Sequence, residues 1–425
     1  MKSKKLKKWT TLLTCATALT VMTACSQSSS QSTGTTSSTT SKTSAVTVTT
    51  SKKTNKNNSN YFTSKDSDTS YNESSATKIK LSGSSADVSG DGIAVSGSTV
   101  TISKAGTYVI SGKSDGVQIK VDAGDSDDVH IVLDGVTMTN TNAAINATSA
   151  GHVYLTLKDG TTNTLSDSSS NSDQDADAVI FSKGDLTING SGTLNIDAKK
   201  NNGIKANDSL HMTGGTYKIT SVGDAFNVND ELNITGTTMT IEAEEDAVKV
   251  DNDDDTSAGT MYLSDNTMTI KAGDDGIHAS GDLIIDSVTY KVEKSTEGIE
   301  GKSVTINGGD IDVYATDDGV NAANANASQS EIFFKMTGGT LNVEVGEDDT
   351  DPIDSNGDIF VSGGTINLTG QSGFDFDGSA TYTGGDITIN GEKQTKIENS
   401  MPGGGGPQGG GPQDGGQTGG FGGGH

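Results

Sequence analysis

One short phrase returns nine times between Asp177 and Ser372, and that recurrence leaves few folds open. In full it is an acid, then Gly or Ala, then a β-branched or aromatic residue. Its anchors are Asp177, Asn202, Asp224, Asp246, Asp275, Glu297, Asp318, Asp351 and Ser372, spaced by 25, 22, 22, 29, 22, 21, 33 and 21 residues. A period near 22 with occasional insertions describes one supersecondary unit stacked on itself. Such a unit has too little apolar surface to fold alone, so its neighbours must cover it.

Each period holds three runs in which apolar and polar residues alternate, the signature of strands rather than helices. The first gives pairs such as Phe226/Val228, Val248/Val250 and Ile277/Ala279. The second gives Leu210/Met212 and Leu232/Ile234, and the third Tyr217/Ile219 and Met239/Ile241. Between the second and third runs lie glycine turns, as at Gly214 and Gly215 or Gly338 and Gly339, where positive φ is needed. The expectation is an all-β chain: a single right-handed parallel β-helix over 76–392, a three-faced solenoid of about 22 residues per coil. Earlier alternating pairs (Ile93/Val95, Tyr108/Ile110, Ile131/Leu133) are expected to form its first coils and a cap.

The flanks read differently. Lys2, Lys4, Lys5, Lys7 and Lys8 precede a short apolar stretch, Leu12 to Val21, and then Met22, Thr23, Ala24 and Cys25. This resembles a bacterial lipoprotein signal over 1–24, with Cys25 as the lipidated first residue of the processed chain; the apolar stretch is too short to span a bilayer. The expected location is the extracellular face of the cell membrane. Residues 25–75 are rich in Ser, Thr, Asn and Lys and are expected to be a disordered tether. Residues 393–425, rich in Gly, Pro and Gln, are expected to be a disordered tail. Processing leaves no cysteine for a disulfide or a nucleophile.

The formal charge is −27 and no arginine is present; without residues 1–24, 24 Lys face 56 acids, for −32. That excludes non-specific nucleic-acid binding, which needs a basic footprint. Stacking would set the anchor acids over one another, and two unit charges ~5 Å apart repel by ~3 kcal/mol at an effective dielectric of ~20. Solvation, protonation or a bridging cation must relieve such a row. Its oxygen-rich ligands suit a hard cation, and their variable spacing suits Ca²⁺. The candidate metal ligands are Asp246, Asp274, Asp275, Asp317 and Asp318, with the inserted loop Asp251, Asp253 and Asp255. That loop is no EF-hand, because its sixth and twelfth positions are Thr256 and Tyr262. The competing reading makes the anchors turn formers and the acids a solvated face.

Four segments carry a family resemblance: Asp159 to Leu165 (DGTTNTL), Ile180 to Leu194 (IFSKGDLTINGSGTL), Asn202 to Lys205 (NGIK) and Asp274 to His278 (DDGIH). In these the chain resembles carbohydrate-binding domain-containing lipoproteins of Gram-positive bacteria. The resemblance implies a right-handed parallel β-helix that binds calcium, cellulose and polygalacturonate. It implies calcium at the Asp-Gly-Ile phrase, which maps best onto Asp274, Asp275, Asp317 and Asp318.

Catalysis is the weaker expectation. A lyase of this type needs an Arg or Lys base, yet the chain lacks Arg, and an acidic setting raises rather than lowers a lysine pKa. His130, His152, His211 and His278 are scattered, and no catalytic residue is assigned. The expected function is a monomeric, calcium-dependent, non-catalytic receptor for acidic polysaccharide, or for cellulose. The alternatives are a lyase-like enzyme and a structural or adhesive rod without a glycan ligand.

Overall fold

The computed structural model describes residues 60–400, apart from 253, 256 and 347–349. Asp253 of the inserted loop, the signal segment with Cys25, and most of the expected tether and tail therefore lie outside the described residues. The described chain is all-β. Helix is confined to short 3-10 turns such as Gln329–Glu331, and no described helix is long and apolar enough to cross a membrane.

From Ala178 onward each strand pairs in parallel with the strand one coil further on, which makes three ladders, the arrangement of a β-helix-like solenoid. The first ladder follows the anchors: Asn202–Ala206, Phe226–Val228 and Val248–Val250 stack with Ile204 over Phe226 over Val248. The second stacks Leu210, Leu232, Met261 and Leu283, and the third stacks Tyr217, Met239, Met268 and Tyr290. Alternation sets the faces: in Thr216–Ser221 every second residue is buried and the others are exposed. The inward side chains form one continuous core from Ile79 to Ile387. Each fully buried Ile or Leu contributes roughly 1.5–3 kcal/mol.

Two sequence rules gain a cause here. The turns between the second and third ladders hold Gly214, Gly215, Gly309, Gly339 and Gly364 at positive φ. The small second residue of the phrase is forced by the next coil: a Cβ on Gly298 would sit 2.2 Å from Val313 Cγ1 and 2.3 Å from the Gly319 carbonyl oxygen. The ends depart from the parallel pattern. Thr77–Gly83 pairs antiparallel with Ser85–Ser89, Ile93–Ser96 with Thr99–Ile102, and Asp386–Ile389 with Glu392–Gln394. These hairpins fold the chain back over the stack ends and blunt their open edges.

Both expected flank boundaries need correction. The structure continues past 392, with Lys393 and Gln394 in the last hairpin and the Ser400 N–H donating to the Phe374 carbonyl at 2.9 Å. Residues 60–71, expected in the tether, form a strap along the outside of the second ladder. Tyr61 stacks on Tyr262 with ring centroids 3.7 Å apart and planes 6° from parallel, and Phe62 packs edge-on against His211. Lys65 pairs with Asp128 and lies over the Tyr154 ring. Asp66 is buried; its carboxylate accepts Thr187 Oγ1 at 2.8 Å and faces His211 Nδ1 at 3.3 Å, and its carbonyl accepts Asn189 Nδ2 and Thr213 Oγ1. Composition hides this strap, because its few aromatic residues are diluted by Ser, Asn and Lys.

The strap is tuned to pH. Burial disfavours the charged His211, but its bonds to Asp66 and Glu231 outweigh this and lift its pKa to about 9. Burial would raise Asp66, yet the bonds from His211, Thr63 and Thr187 hold it well below the usual carboxylate range. His211 therefore contributes fully below its unfolded pKa of 6.5, and the contribution is lost as pH climbs through about 9. Hydrogen exchange corrected for intrinsic rates is expected to show residues 61–68 losing about tenfold protection between pH ~7 and ~10, with Asp66→Asn removing the dependence. Unchanged protection across that range would refute the latch.

Candidate functional site: the anchor ladder and its acidic end

The anchors act first on the backbone. An Asp or Asn side chain at the turn into the first ladder is long enough to reach the next rung. Asn202 Oδ1 accepts the Asp224 N–H at 2.9 Å, Asp224 Oδ1 the Asp246 N–H at 3.0 Å, and Asp246 Oδ1 the Asp275 N–H at 2.8 Å. Asp318 Oδ1 accepts the Asp351 N–H at 2.8 Å, and the Ser372 hydroxyl donates to Asp351. Asp224, Asp246 and Asp275 are buried. A buried N–H left without an acceptor costs about 1–3 kcal/mol, so this side-chain ladder fixes the rungs in register.

Three residues past each anchor from Asn202 on, a second column faces outward in strict register: Lys205, Asn227, Lys249, His278, Glu300, Asn321, Asp354 and Asp375. It answers the anchors. Lys205 bonds Asp177 at 2.8 Å, Asn227 bonds Asp224 at 2.5 Å and Lys249 bonds Asp246 at 2.8 Å. His278 Nδ1 lies 3.1 Å from Asp275 and 2.5 Å from Glu300, and Asn321 bonds Glu297 at 3.0 Å. Burial disfavours a charged His278, but Asp275 and Glu300 overcome it and lift the pKa to about 10. At neutral pH this imidazole is an occupied cationic tie and has no lone pair to offer as a base.

The compensation fails at one end. Where earlier rungs read Lys205, Lys249 and His278, the last read Asn321, Asp354 and Asp375. Burial, followed by the charges of Asp318, Asp375 and Asp351, pushes Asp354 up to about 7. Burial and the neighbouring Asp317, Asp351 and Asp375 push Asp318 up to about 6, and burial with Glu300 beside it pushes Glu297 up to about 8. These three carboxylates hold their protons to higher pH than exposed acids do.

The structure sorts the sequence candidates. Carboxylate oxygens of Asp246, Asp274 and Asp275 come within 4.8 Å of one another, as do ligand atoms of Asp275, His278 and Glu300. Asp317 is exposed, whereas Asp318 is half-buried in the ladder. Asp251, Asp255, Asp317 and Asp318 join neither cluster. Asp255 is exposed and accepts the Ser257 N–H and hydroxyl within its own turn, while Asp251 is half-buried and its N–H donates to the Val228 carbonyl. Sequence reasoning missed Lys205, Lys249, Glu300, Asn321 and Asp354. The signal was present: these positions share the period of the anchors at a fixed offset of three.

The model of a family described as "carbohydrate-binding domain-containing protein" matches residues 96–349 and 276–405. A relative of the same description from Acetivibrio thermocellus is 37% identical over 135 residues, 30% of this chain and 47% of the relative, so the chain spans about half the length of that curated relative. Among solved structures, the polysaccharide lyase-like protein from C. thermocellum (a gadolinium derivative) aligns with 74% of this chain and 95% of its own, at 24% identity and a TM-score of 0.43.

Proposed function

The chain belongs to the family of carbohydrate-binding domain-containing proteins, and from that membership we propose a non-catalytic, calcium-dependent receptor for uronate-rich polysaccharide, carried on a right-handed parallel β-helix. The observation that carries the calcium reading is the run of Asp318, Asp351 and Asp354 at the rungs where the outward column no longer supplies Lys or His. Their donor atoms are all oxygen, and the raised pKa values of Asp318 and Asp354 fit a site short of positive charge, which suits a hard cation. The Asp246, Asp274 and Asp275 group fits less well, because Lys249 and His278 already engage two of its carboxylates. A bound Ca²⁺ would supply positive charge and open positions for sugar carboxylate and hydroxyl oxygens, inverting the local electrostatics. The protein's part is to hold the carboxylates at fixed rungs. A polymer laid along repeating rungs gains from several weak contacts at once, so long chains bind better than short ones.

The charged His278 and the lack of Arg speak against catalysis. In this reading Cys25 carries a lipid that holds the receptor at the outer face of the membrane, so a Cys25→Ser chain is released into the medium. The central test is a pull-down on polygalacturonate in Ca²⁺ or EDTA. Binding is expected only with Ca²⁺, and the double change Asp318→Asn and Asp354→Asn is expected to weaken it at least ~tenfold, about 1.4 kcal/mol. Equal binding in EDTA would remove calcium from the account, and release of unsaturated or reducing-end products would make the protein an enzyme.

A further inference from the structure

We propose that the second ladder holds, near the C-terminal end of the stack, a site for a small aromatic carboxylate, built on Phe333, Phe360 and Lys335. The site lies on a different ladder from the anchors and goes beyond the receptor reading. A groove of about 330 Å³ crosses the strands Phe333–Met336, Asp358–Val361 and Ala380–Tyr382. That volume falls within the roughly 300–1,000 Å³ of small-ligand sites. The strap already uses an aromatic rung of this same ladder, at Tyr262. Ile284, Thr305 and Lys335 follow Tyr262 in register, and the groove opens at that last rung.

The lining sets the chemistry of the ligand. Phe333 and Phe360 are half-buried and meet edge to face, with ring centroids 6.1 Å apart and planes at 72°. Two rings at that angle form a corner that offers one face and one edge, so a third flat ring packs there. Lys335 stands in register with Phe360, is exposed, and forms no ion pair among the described residues. The hydroxyls of Ser362, Thr381 and Thr383 also line the groove, and none is bonded within the described residues. An ammonium and three hydroxyl donors beside two rings suit a carboxylate carried on an aromatic group. The formal charge of −27 opposes any anion at long range, but salt confines that field to ~8 Å under physiological conditions, so local charges decide. Asp358, in register with Phe333, has its Oδ1 occupied by the Ser379 N–H at 2.7 Å and the Ser379 hydroxyl at 2.9 Å. A uronate brings the charge without a flat ring, and so gains little from this corner.

The test titrates the full chain by calorimetry with cinnamate, with cinnamyl alcohol, which lacks the charge, and with acetate, which lacks the ring. Cinnamate is expected to bind saturably and at least ~tenfold tighter than either control. Lys335→Gln is expected to erase the preference for cinnamate over the alcohol, with the melting temperature unchanged. Phe360→Ala is expected to weaken cinnamate binding at least ~tenfold. Phe360→Leu keeps an apolar side chain should the alanine variant loosen the fold, and is expected to lose affinity as well. Polygalacturonate binding in Ca²⁺ is expected to be the same in the parent and in Lys335→Gln. No saturable binding of cinnamate, or equal affinity for acid and alcohol, would overturn the inference. So would full cinnamate affinity in Lys335→Gln or in Phe360→Leu, or a joint loss of cinnamate and polygalacturonate binding in Lys335→Gln.

Discussion

In chelator, the melting temperature of the full chain is expected to fall as pH rises from about 5 to about 8, and added Ca²⁺ at the upper pH is expected to restore it. The sign follows from three carboxylates. Glu297 stands at about 8 against 4.5, Asp354 at about 7 against 3.8, and Asp318 at about 6 against 3.8. Between those limits the folded chain holds more protons than the unfolded one, so stability declines with pH. All three groups are partly solvated, which trims the effect to on the order of 2–3 kcal/mol, or ~5 °C in a domain of this size. Calcium acts against the decline because it binds the ionised carboxylates and displaces their protons. At a hundredfold excess over Kd it adds ~2.7 kcal/mol. A flat or rising curve in EDTA would refute the charge argument, and a high-pH melt indifferent to Ca²⁺ would remove the ion from this end of the ladder.

Asp246→Ala should be among the costliest single changes in the stack, about 3–5 kcal/mol. It strips the Asp275 N–H of its acceptor and leaves Lys249 half-buried without its partner. Asp246→Asn keeps the acceptor and loses only the charge, so it is expected to fall between the alanine variant and the parent. Asp224→Asn is expected to be nearly neutral, because Asn227 rather than a lysine faces that carboxylate and Asn202 already performs the same bond one rung earlier. Chemical denaturation in EDTA reads these costs free of any ion. Equal stability of Asp246→Ala and Asp246→Asn would mean the backbone bond contributes nothing.

The repeat made the ladders legible. Phe226, Val228, Tyr217 and Tyr290 point into the core because alternation and period leave an inward residue no other place to go. The phrase also marked the column whose side chains bond the next rung's backbone, but its chemistry was only half readable. Asp246 and Asp275 looked like metal ligands; Asp246 is in the first instance a backbone acceptor, a role visible only once the next rung's N–H is placed, and the Asp275 carboxylate faces His278. The Asp251 loop was ambiguous for a related reason. An acid at every second position is what a calcium loop shows, and equally what a run of Asx turns shows, as Asn252 accepting the Asp254 and Asp255 N–H groups demonstrates. The hydrogen-bonded row of Asp312, Asn342 and Asn367 on the third ladder left no mark of its own, since its members lie 30 and 25 residues apart and meet only through the coil closure.

The strap also changes how the molecule can assemble. A solenoid of nearest-neighbour coils is quasi-one-dimensional, and any few adjacent coils can form without the rest. The strap breaks that independence. It leaves the ribosome before every coil it touches, yet the partner of Asp66 at Thr187 is 121 residues away and the partner of Tyr61 at Asn233 is 172 away. The dock does not exist until the rung bearing Tyr262 is in place. Closing such long loops is slow and comes after the local contacts that build the rungs. Docking is thus the last event of N-terminal assembly. It couples rungs that otherwise know only their immediate neighbours, so a coil lost anywhere between the first hairpin and Tyr262 is felt across that whole stretch.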